Sequence, residues 1–303
     1  MNVNATAATV GGVLRAGRRK AIITPARIGL YAFLVSSALF FALPLFIMLI
    51  TSFKTIEEIR NGTLITLPQA LNFEAWIKAW TSACTGLNCN GIRVGFWNSV
   101  RIVVPGVAIS VMVGAINGYA LTFWRFRYAN LVFAVLMTGM FIPYQIYLFP
   151  LVQMFATIGI YGTLPGIILV HVIFGLPAMT LIFRNYYSGI PEELFKAARV
   201  DGAGFWRIFL MIMLPMSTPI LIVAIIWQVT GIWNDFLLGL VFAGRENLPM
   251  TVQLNNIVNS QFGEREYNIE MAATILTAFV PLAIYFISGK WFVRGIAAGA
   301  VKG

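Results

Sequence analysis

Charged residues are scarce in this chain. Asp, Glu, Lys and Arg make up 11% of its 303 residues, whereas a soluble domain carries about a quarter. Hydrophobic residues reach 59%, and many of them fall in long runs without a charge. Because such runs are typical of membrane spans, the composition predicts a polytopic membrane protein rather than a soluble globular one.

The chain also lacks the residue sets that metal sites and nucleotide sites need. His171 is the only histidine, which excludes a multi-histidine metal centre. The pattern G-x-x-x-x-G-K-[ST] is absent, so the chain cannot bind ATP in the P-loop manner. Few carboxylates fall in the apolar runs, which leaves a poor set for catalysis. We therefore predict that the chain itself binds no metal and no cofactor and is not an enzyme.

Cysteine is nearly absent as well. Cys84 and Cys89 are the only two, and their spacing is not that of a CxxC metal or redox pair. They fall in a segment that the topology given below puts outside the cytoplasm, where cysteines tend to pair. We expect a small disulfide loop, with two free thiols as the alternative.

Six apolar runs are present, each long enough for the ~20 residues with which a helix crosses a bilayer. The predicted fold is therefore all-α, a polytopic membrane protein with six transmembrane helices. Pro143 and Pro150 interrupt the third run. The predicted spans are 28–53, 98–124, 129–158, 164–183, 219–242 and 269–292.

The positive charges orient these spans. Six spans put both termini on one side, which holds fourteen of the twenty-one Lys and Arg residues. By the positive-inside rule this side is cytoplasmic. The membrane topology thus accounts for the net charge of +10 without a nucleic-acid partner. We expect a cytoplasmic arm over 1–27, a transmembrane domain over 28–296 with a cytoplasmic loop over 186–218, and a cytoplasmic tail over 297–303.

That cytoplasmic loop contains a stretch of mixed charged and apolar residues, SGIPEELFKAARVDGAGFWRIFLMIMLPMSTP, from Ser188 to Pro219. The pattern predicts two short helices joined by a glycine turn. Pro191 suits the first helical position, where its missing N–H leaves no bond unmade. Asp201-Gly202 predicts the end of the first helix, because glycine adopts the left-handed conformation that a C-cap often needs.

The first of these helices has one narrow face of small and apolar residues. Leu194, Ala197 and Ala198 fall at i, i+3 and i+4, so we expect them on the same face. Two of the three are alanine, which lets a partner approach the backbone closely. The stretch fits either a solvated loop between two spans or a docking site for a soluble partner.

A family resemblance distinguishes these two interpretations. The stretch resembles the signature loop of the membrane subunits of bacterial ATP-binding-cassette importers, which reads Glu-Ala-Ala, three residues, Gly, nine residues, Ile-x-Leu-Pro. In this chain the corresponding residues are Lys196-Ala197-Ala198, then Gly202, then Ile212-Met213-Leu214-Pro215, with the same spacing. Lys196 stands where the family has glutamate, which puts the family's usual salt-bridge partner in doubt. The flanking segments IPEEL and DGA resemble those of the sugar-importing branch of this family.

The resemblance implies that this cytoplasmic coupling loop docks on a separate ATPase, whose two subunits bind the ATP and Mg. It also implies a second, homologous permease in a heterodimer, an external sugar-binding protein, and a location in the bacterial inner membrane. The implied ATPase-coupling residues are Glu192, Glu193, Lys196, Ala197, Ala198, Asp201, Gly202, Ile212, Leu214 and Pro215.

Two further segments resemble the smaller permease of maltose-type importers. In those relatives the C-terminal tail reaches the ATPase interface, and the third external loop probes the binding protein. Alternatively, the tail is a frayed terminus and the loop is a polar cover of the helix bundle. The tail residues implied are Gly299, Lys302 and Gly303. The loop residues implied are Gln253, Asn255, Asn256 and Asn259.

Polar residues within the apolar spans are candidates for the translocation pathway, because such side chains usually face the bundle interior or a water-filled cavity. Helix–helix hydrogen bonding is the alternative. We expect a structural role for Asn234 and Asp235, and also for His171, for which lining of the pathway is the alternative. The candidate pathway residues are Tyr144, Gln145, Trp227, Gln228 and Thr230.

The sequence thus predicts the permease subunit of a sugar importer. The external-loop segment LNNIVN…EYNIEMAA and the tail resemble permeases for glucose or mannose, so a monosaccharide of that type or a small oligosaccharide is the expected substrate. A non-sugar solute such as a polyol, glycerol phosphate or sugar sulfonate is the alternative, followed by a secondary transporter.

Overall fold

The structure is a computed structural model. It describes residues 24–86, 88–124, 126–259 and 265–300, with the backbone alone from 290 onward. The chain divides into two compact units, residues 1–47 and 48–303. The first unit holds the larger part of the first helix, and the packing described below belongs to the second.

Every regular element in the described residues is helical. A 3-10 turn at Tyr144–Tyr147 and a π turn at Phe209–Met213 interrupt the α-helices. The α-helices are α1 (Pro25–Ser52), α2 (Ile56–Asn61), α3 (Glu74–Thr81), α4 (Arg93–Phe123), α5 (Ala129–Phe141), α6 (Leu148–Thr157), α7 (Leu164–Tyr187), α8 (Glu192–Val200), α9 (Phe205–Ile208), α10 (Leu214–Met216), α11 (Thr218–Asn234), α12 (Leu237–Phe242), α13 (Met250–Asn259) and α14 (Tyr267–Ala300).

The predicted all-α membrane fold is confirmed. Among the described residues, α1, α4, α7 and α14 are each long and apolar enough to cross a membrane. Two bent pairs of helices pass the same test together, and each counted as one span brings the number to six. The first, second, fourth and sixth predicted spans therefore correspond to single helices.

The third predicted span is broken in the middle. α5 and the segment Tyr144–Thr157 meet at 97°. Pro143 explains the break, because its ring disfavours a helical conformation at the preceding residue and Ile142 is extended, with ψ of 126°. Pro150 lies in the first turn of α6, where proline is tolerated, so the interruption predicted there is wrong.

The fifth predicted span, 219–242, is two helices. α11 ends at Asn234 because Asp235 is extended, with ψ of 135°. The Asp235 carboxylate accepts a hydrogen bond from the Gly239 amide at 2.9 Å and thereby caps the start of α12. At its other end, α11 follows the segment Phe205–Met216 after a bend of 80°.

Among the described helices of the second unit, α4 and α7 have the most extensive contact. A Cβ added at Gly114 would lie 2.3 Å from the Met179 Cβ, and one added at Gly118 would lie 2.7 Å from the Phe183 Cβ. Small residues at four-residue spacing allow this approach, as in other membrane helix pairs. Gly106 and Ser110 continue the same row toward the start of α4. The candidate sites described below lie beside the α4–α7 pair.

The two ends of α4 carry different elements. Its start contacts the segment before and within α13: the Met250 amide donates to Ser99 Oγ at 2.9 Å, and Asn98 Nδ2 donates to the Glu246 carbonyl at 2.9 Å. α3 lies at this end too and contacts α14. We call this end the far end. The end at which α4 finishes, beside α8, is the coupling end.

The segment between α1 and α4, which the sequence predicts to be external, contains a disulfide. Cys84 and Cys89 are joined, as expected, and the bond closes a short loop after α3. Nearby, the Lys78 ammonium lies 2.7 Å from a Glu266 carboxylate oxygen. This ion pair connects α3 to the residues just before α14.

Candidate coupling segment and transmembrane cavity

The predicted first helix of the coupling loop is α8. It begins at Glu192, one residue later than predicted, because Pro191 occupies the N-cap. It ends in a Schellman motif, in which the Ala203 amide donates to the Ala198 carbonyl at 3.0 Å and the Gly202 amide to the Arg199 carbonyl at 3.1 Å. Gly202 has φ of 78°, the left-handed conformation predicted for this glycine.

α8 turns one face inward. Ala198 is buried, and Phe195 packs against the buried core. Leu194 and Ala197 are exposed. Because Leu194, Ala197 and Ala198 fall at i, i+3 and i+4 of one regular helix, they lie on neighbouring positions of its surface. Of the three only Ala198 is buried, because it lies on the side where Phe195 packs against the core.

Lys196, the departure from the family pattern, lies on the outward side. Its Nζ is 3.5 Å from a Glu192 carboxylate oxygen one turn earlier, and both side chains are largely exposed. Such exposed i,i+4 pairs contribute about 0.3–0.5 kcal/mol to a helix. Glu193 and Asp201 are exposed as well, so the outward side carries charges of both signs.

An aromatic cluster attaches the coupling loop to the end of α4. Tyr119 is fully buried, with its ring centroid 4.8 Å from that of Phe205 and 5.6 Å from that of Phe209. Its hydroxyl donates to the Phe205 carbonyl at 3.3 Å. Phe123, one turn further along α4, contacts Phe195 of α8. α8 and α9 are thereby connected to the same turn of a membrane helix.

A cation–π contact adds to this attachment. The Arg199 guanidinium lies over the Trp124 ring, 4.6 Å from its centroid. Such contacts contribute about 0.5–1 kcal/mol at exposed sites. Arg199 stands in the last turn of α8, where a positive charge also complements the helix dipole.

Apolar side chains remain exposed on the outside of the coupling loop. Val200 is 87% exposed, Trp206 59% and Leu194 43%. We call these three residues the outer ridge. Tryptophan is enriched among the residues that carry most of the binding energy of protein interfaces, so we expect Trp206 to be the anchor of this surface.

The last part of the predicted coupling set faces inward. Ile212 and Leu214 pack against the buried core, so they hold the segment in place and do not belong to the outer surface. Pro215 is exposed, and its missing N–H removes one helical hydrogen bond next to the π turn. Ser217, fully buried, donates to Tyr187 Oη at 2.9 Å and attaches the bend before α11 to the end of α7.

A cavity of about 360 Å³ lies between α7, α11 and the 3-10 turn. It has aromatic walls and several polar groups, the combination that small polar ligands with apolar faces require. It is lined by Tyr144, His171, Phe174, Gly175, Trp227, Gln228, Gly231, Ile232, Asn234, Asp235 and Leu238.

Three of the five predicted pathway residues line this cavity. Tyr144, Trp227 and Gln228 do so, and Trp227 is 57% exposed. Thr230 and Gln145 are not part of the lining. Thr230 is two positions from Gln228 on α11, which puts it about 200° around the helix.

Gln228 combines the two roles between which the sequence did not decide. It is buried, and its Nε2 donates to Ser110 Oγ of α4 at 3.1 Å. A Cβ at Gly175 would lie 2.2 Å from the same nitrogen, so only glycine permits this side-chain position. Gln228 therefore connects helices with a hydrogen bond and also forms part of the cavity wall.

Asp235 was predicted to be structural, and His171 either structural or part of the pathway lining; both line the cavity. His171 is buried, and its Nε2 lies 3.9 Å from Asp235 Oδ2. Asp235 also has the capping role described above. The sequence contains no local signal for this pair, because His171 and Asp235 are 64 residues apart and Asp235 lies just beyond the end of α11.

The predicted external loop is helical over α13, and one of the residues predicted to contact the binding protein is inaccessible. Gln253 is buried, and its Oε1 accepts a hydrogen bond from the Gly95 amide at 3.0 Å. This contact fixes α13 on α4, so the proposed role for Gln253 is corrected to a structural one. Asn255 and Asn256 are half-buried, and Asn259 is exposed.

The predicted C-terminal contacts lie largely outside the described residues. The backbone of α14 reaches Ala300 and includes Gly299, so the helix continues past the predicted boundary at 297. Lys302 and Gly303 lie outside the described residues. No group of three or more potential metal ligands occurs in the part of the chain that the structure describes.

Comparisons with known proteins agree with this architecture. Residues 99–298 match the family described as binding-protein-dependent transport system inner membrane component. The arabinooligosaccharides transport system permease protein AraQ of Halalkalibacterium halodurans is 34% identical over 90% of this chain and 94% of its own length. The glucose import system permease protein GlcU of Saccharolobus solfataricus is 29% identical over 90% of this chain and 95% of its own length.

The fold of this chain resembles that of solved structures. A chain of a bacterial ABC transporter involved in the import of the acidic polysaccharide alginate has a TM-score of 0.70 at 20% identity, covering 88% of this chain and 95% of that chain. The family match extends over most of the helical bundle, from α4 to α14. This chain therefore belongs to the family of binding-protein-dependent transport system inner membrane components, and it is an ABC transporter permease, not an enzyme.

Proposed function

We propose that this permease moves a sugar across the bacterial inner membrane and is driven by a separate ATPase docked on residues 190–215. Both termini and the coupling loop face the cytoplasm in this proposal. The observation that carries it is the combination of an exposed outer ridge with a buried aromatic attachment beneath it. A surface built to transmit force needs both.

The attachment determines how a partner's motion reaches the membrane. When ATP closes the ATPase dimer, the outer ridge moves with it. The rings of Tyr119 and Phe123 carry this displacement into α4, and Ser217 with Tyr187 carries it into α7. Because α4 and α7 pack too closely to slide independently, they rock as one body between inward-open and outward-open states.

The complete importer in this proposal contains four further proteins. They are a second, homologous permease that forms a heterodimer with this chain, two ATPase subunits that bind ATP and Mg, and an external sugar-binding protein. On this chain the binding protein contacts α13 through its accessible side chains, Asn255, Asn256 and Asn259. The C-terminal tail contacts the ATPase.

The cavity supports a sugar as the substrate. Trp227 and Tyr144 offer aromatic faces, and Gln228, His171 and Asp235 offer hydrogen-bonding groups, which together match the apolar faces and hydroxyl groups of a pyranose. One relative reported above is named for arabinooligosaccharides and another for glucose. We propose a glucose- or mannose-like monosaccharide or a small oligosaccharide, with a polyol, glycerol phosphate or sugar sulfonate as the alternative class.

A matched pair of glycine variants tests the coupling. Gly202 has φ of 78°, whereas Gly204 has φ of −81°, and a Cβ added at either meets nothing within 4 Å. Gly202→Asp therefore strains the turn after α8, by about 1–2 kcal/mol, and Gly204→Asp adds the same charge without that strain.

The measurement is ATP hydrolysis by the reconstituted importer, with its binding protein, in the presence and absence of glucose. We expect sugar to stimulate hydrolysis in the wild type and in Gly204→Asp, and stimulation to fall several-fold in Gly202→Asp. Stimulation only by a non-sugar solute rejects the sugar. Equal stimulation in both variants rejects the coupling role of the loop.

A further inference from the structure

A second cavity, of about 560 Å³, lies at the coupling end and is distinct from the transmembrane cavity. Its walls are the end of α4, the turn into α5, the last turn of α7 and the start of α8. These are the positions at which three helices reach the membrane surface. Five of its polar lining residues are Thr122, Arg127, Asn130, Arg184 and Ser188.

Two arginines give this cavity a positive charge. Within the described residues, neither Arg127 nor Arg184 forms an ion pair. Both make cation–π contacts: the Arg184 guanidinium lies 3.8 Å from the Phe133 ring centroid, and that of Arg127 lies 5.4 Å from the Tyr128 ring centroid. The carboxylate in the lining belongs to Glu192, which pairs with a lysine of α8.

The wall formed by α5 continues from these charges into an apolar surface. Leu131 is 60% exposed and Val135 is 63% exposed. α5 begins at Ala129, two residues after Arg127, so Leu131 and Val135 lie in its first and second turns, at ~5.4 Å a turn. Arginines just before an apolar helix suit the level of lipid head groups, and the apolar surface of that helix suits the level of acyl chains.

We propose that this cavity binds the phosphate head group of an anionic phospholipid from the leaflet at the coupling end. Arg127 and Arg184 bind the phosphate, Asn130 donates a hydrogen bond to it, and an acyl chain lies along Leu131 and Val135. A soluble phosphate compound shares the arginines but gains nothing from the apolar surface of α5. The proposal requires the membrane location of the chain and does not depend on ATPase docking.

The test is native mass spectrometry of the purified full importer with phosphatidylglycerol or phosphatidylcholine added. A basic residue near a membrane surface contributes enough for about a fivefold change in affinity for anionic lipid. We expect a wild-type preference for phosphatidylglycerol and a roughly 25-fold weaker adduct, five times five, in Arg127→Gln/Arg184→Gln. The control is Arg245→Gln, an exposed arginine at the far end, which should retain the adduct.

Two further arms distinguish the possible results. Arg184→Lys keeps the charge and should retain most of the phosphatidylglycerol, so a loss of binding caused merely by misfolding would appear there too. Inorganic phosphate at millimolar concentration should not displace the lipid. Equal binding of phosphatidylglycerol to the wild type and the double glutamine variant overturns the proposal. So does arginine-dependent binding of inorganic phosphate without a lipid preference, which identifies a soluble-anion site instead.

Discussion

Phe195 of α8 stacks on Phe123 of α4, with ring centroids 5.1 Å apart and 22° between the ring planes. This contact joins the coupling loop to a membrane span by two side chains that are far apart in sequence. Offset stacking of this kind contributes about 0.5–1.5 kcal/mol beyond the area buried. The contact is also directional, because a displacement of α8 perpendicular to the ring planes presses one ring against the other and so moves α4.

Removal of this stack should uncouple the importer. Phe195→Ala is expected to increase the number of ATP molecules hydrolysed per sugar transported, because α8 can then move without α4. The measurement is transport and hydrolysis in the same proteoliposomes. Phe141→Ala is the control, since Phe141 is 83% exposed on α5 and outside the cluster. An unchanged ratio in Phe195→Ala would show that the ring only fills space.

The α4–α7 interface should not tolerate an added methyl group. Gly114→Ala puts a Cβ 2.3 Å from the Met179 Cβ, so the helices must separate. Overpacking of this kind costs about 1–3 kcal/mol. Gly139→Ala on α5 is the control, because its Cβ meets nothing within 4 Å. Thermal unfolding in detergent should give a lower midpoint for Gly114→Ala alone, and equal midpoints would contradict the described packing.

The transmembrane cavity should bind the transported solute through Trp227. Trp227→Ala is expected to raise the KM for transport several-fold, since an aromatic contact contributes about 0.5–1.5 kcal/mol. Trp227→Phe should restore most of the affinity because it keeps an aromatic face. Ile225→Ala serves as the control, because Ile225 is exposed on the same helix but does not line the cavity. A KM that is indifferent to both Trp227 variants would put the pathway elsewhere.

Apolar periodicity and the residues at helix ends allowed the helices to be predicted from the sequence. Features that depend on contacts between residues far apart in the chain could not be predicted. The spans followed from apolar runs, and the end of α8 followed from Gly202, because local sequence alone selects a left-handed glycine. The break at Pro143 was visible as an interruption, but the 97° angle depends on what packs on each half.

The candidate sites were only partly predictable for the same reason. Gln253 has the polarity of a surface residue, and its burial depends on the Gly95 amide, which no pattern in α13 reveals. The aromatic cluster joins Tyr119 to residues of a loop more than seventy positions later. The row of small residues from Gly106 to Gly118 was readable in the sequence and points to the close α4–α7 pair that frames both cavities.

The central claim is that the outer ridge contacts the ATPase. The two native cysteines are joined in a disulfide, so one introduced cysteine can be labelled selectively. Val200→Cys, 87% exposed on the ridge, and Leu64→Cys, 73% exposed between α2 and α3, form a matched pair for photo-crosslinking in the assembled importer. We predict crosslinks from position 200 to the ATPase subunit that change in yield with bound ATP, and none from position 64. Crosslinks to the ATPase from neither position, or from both equally, would contradict the account.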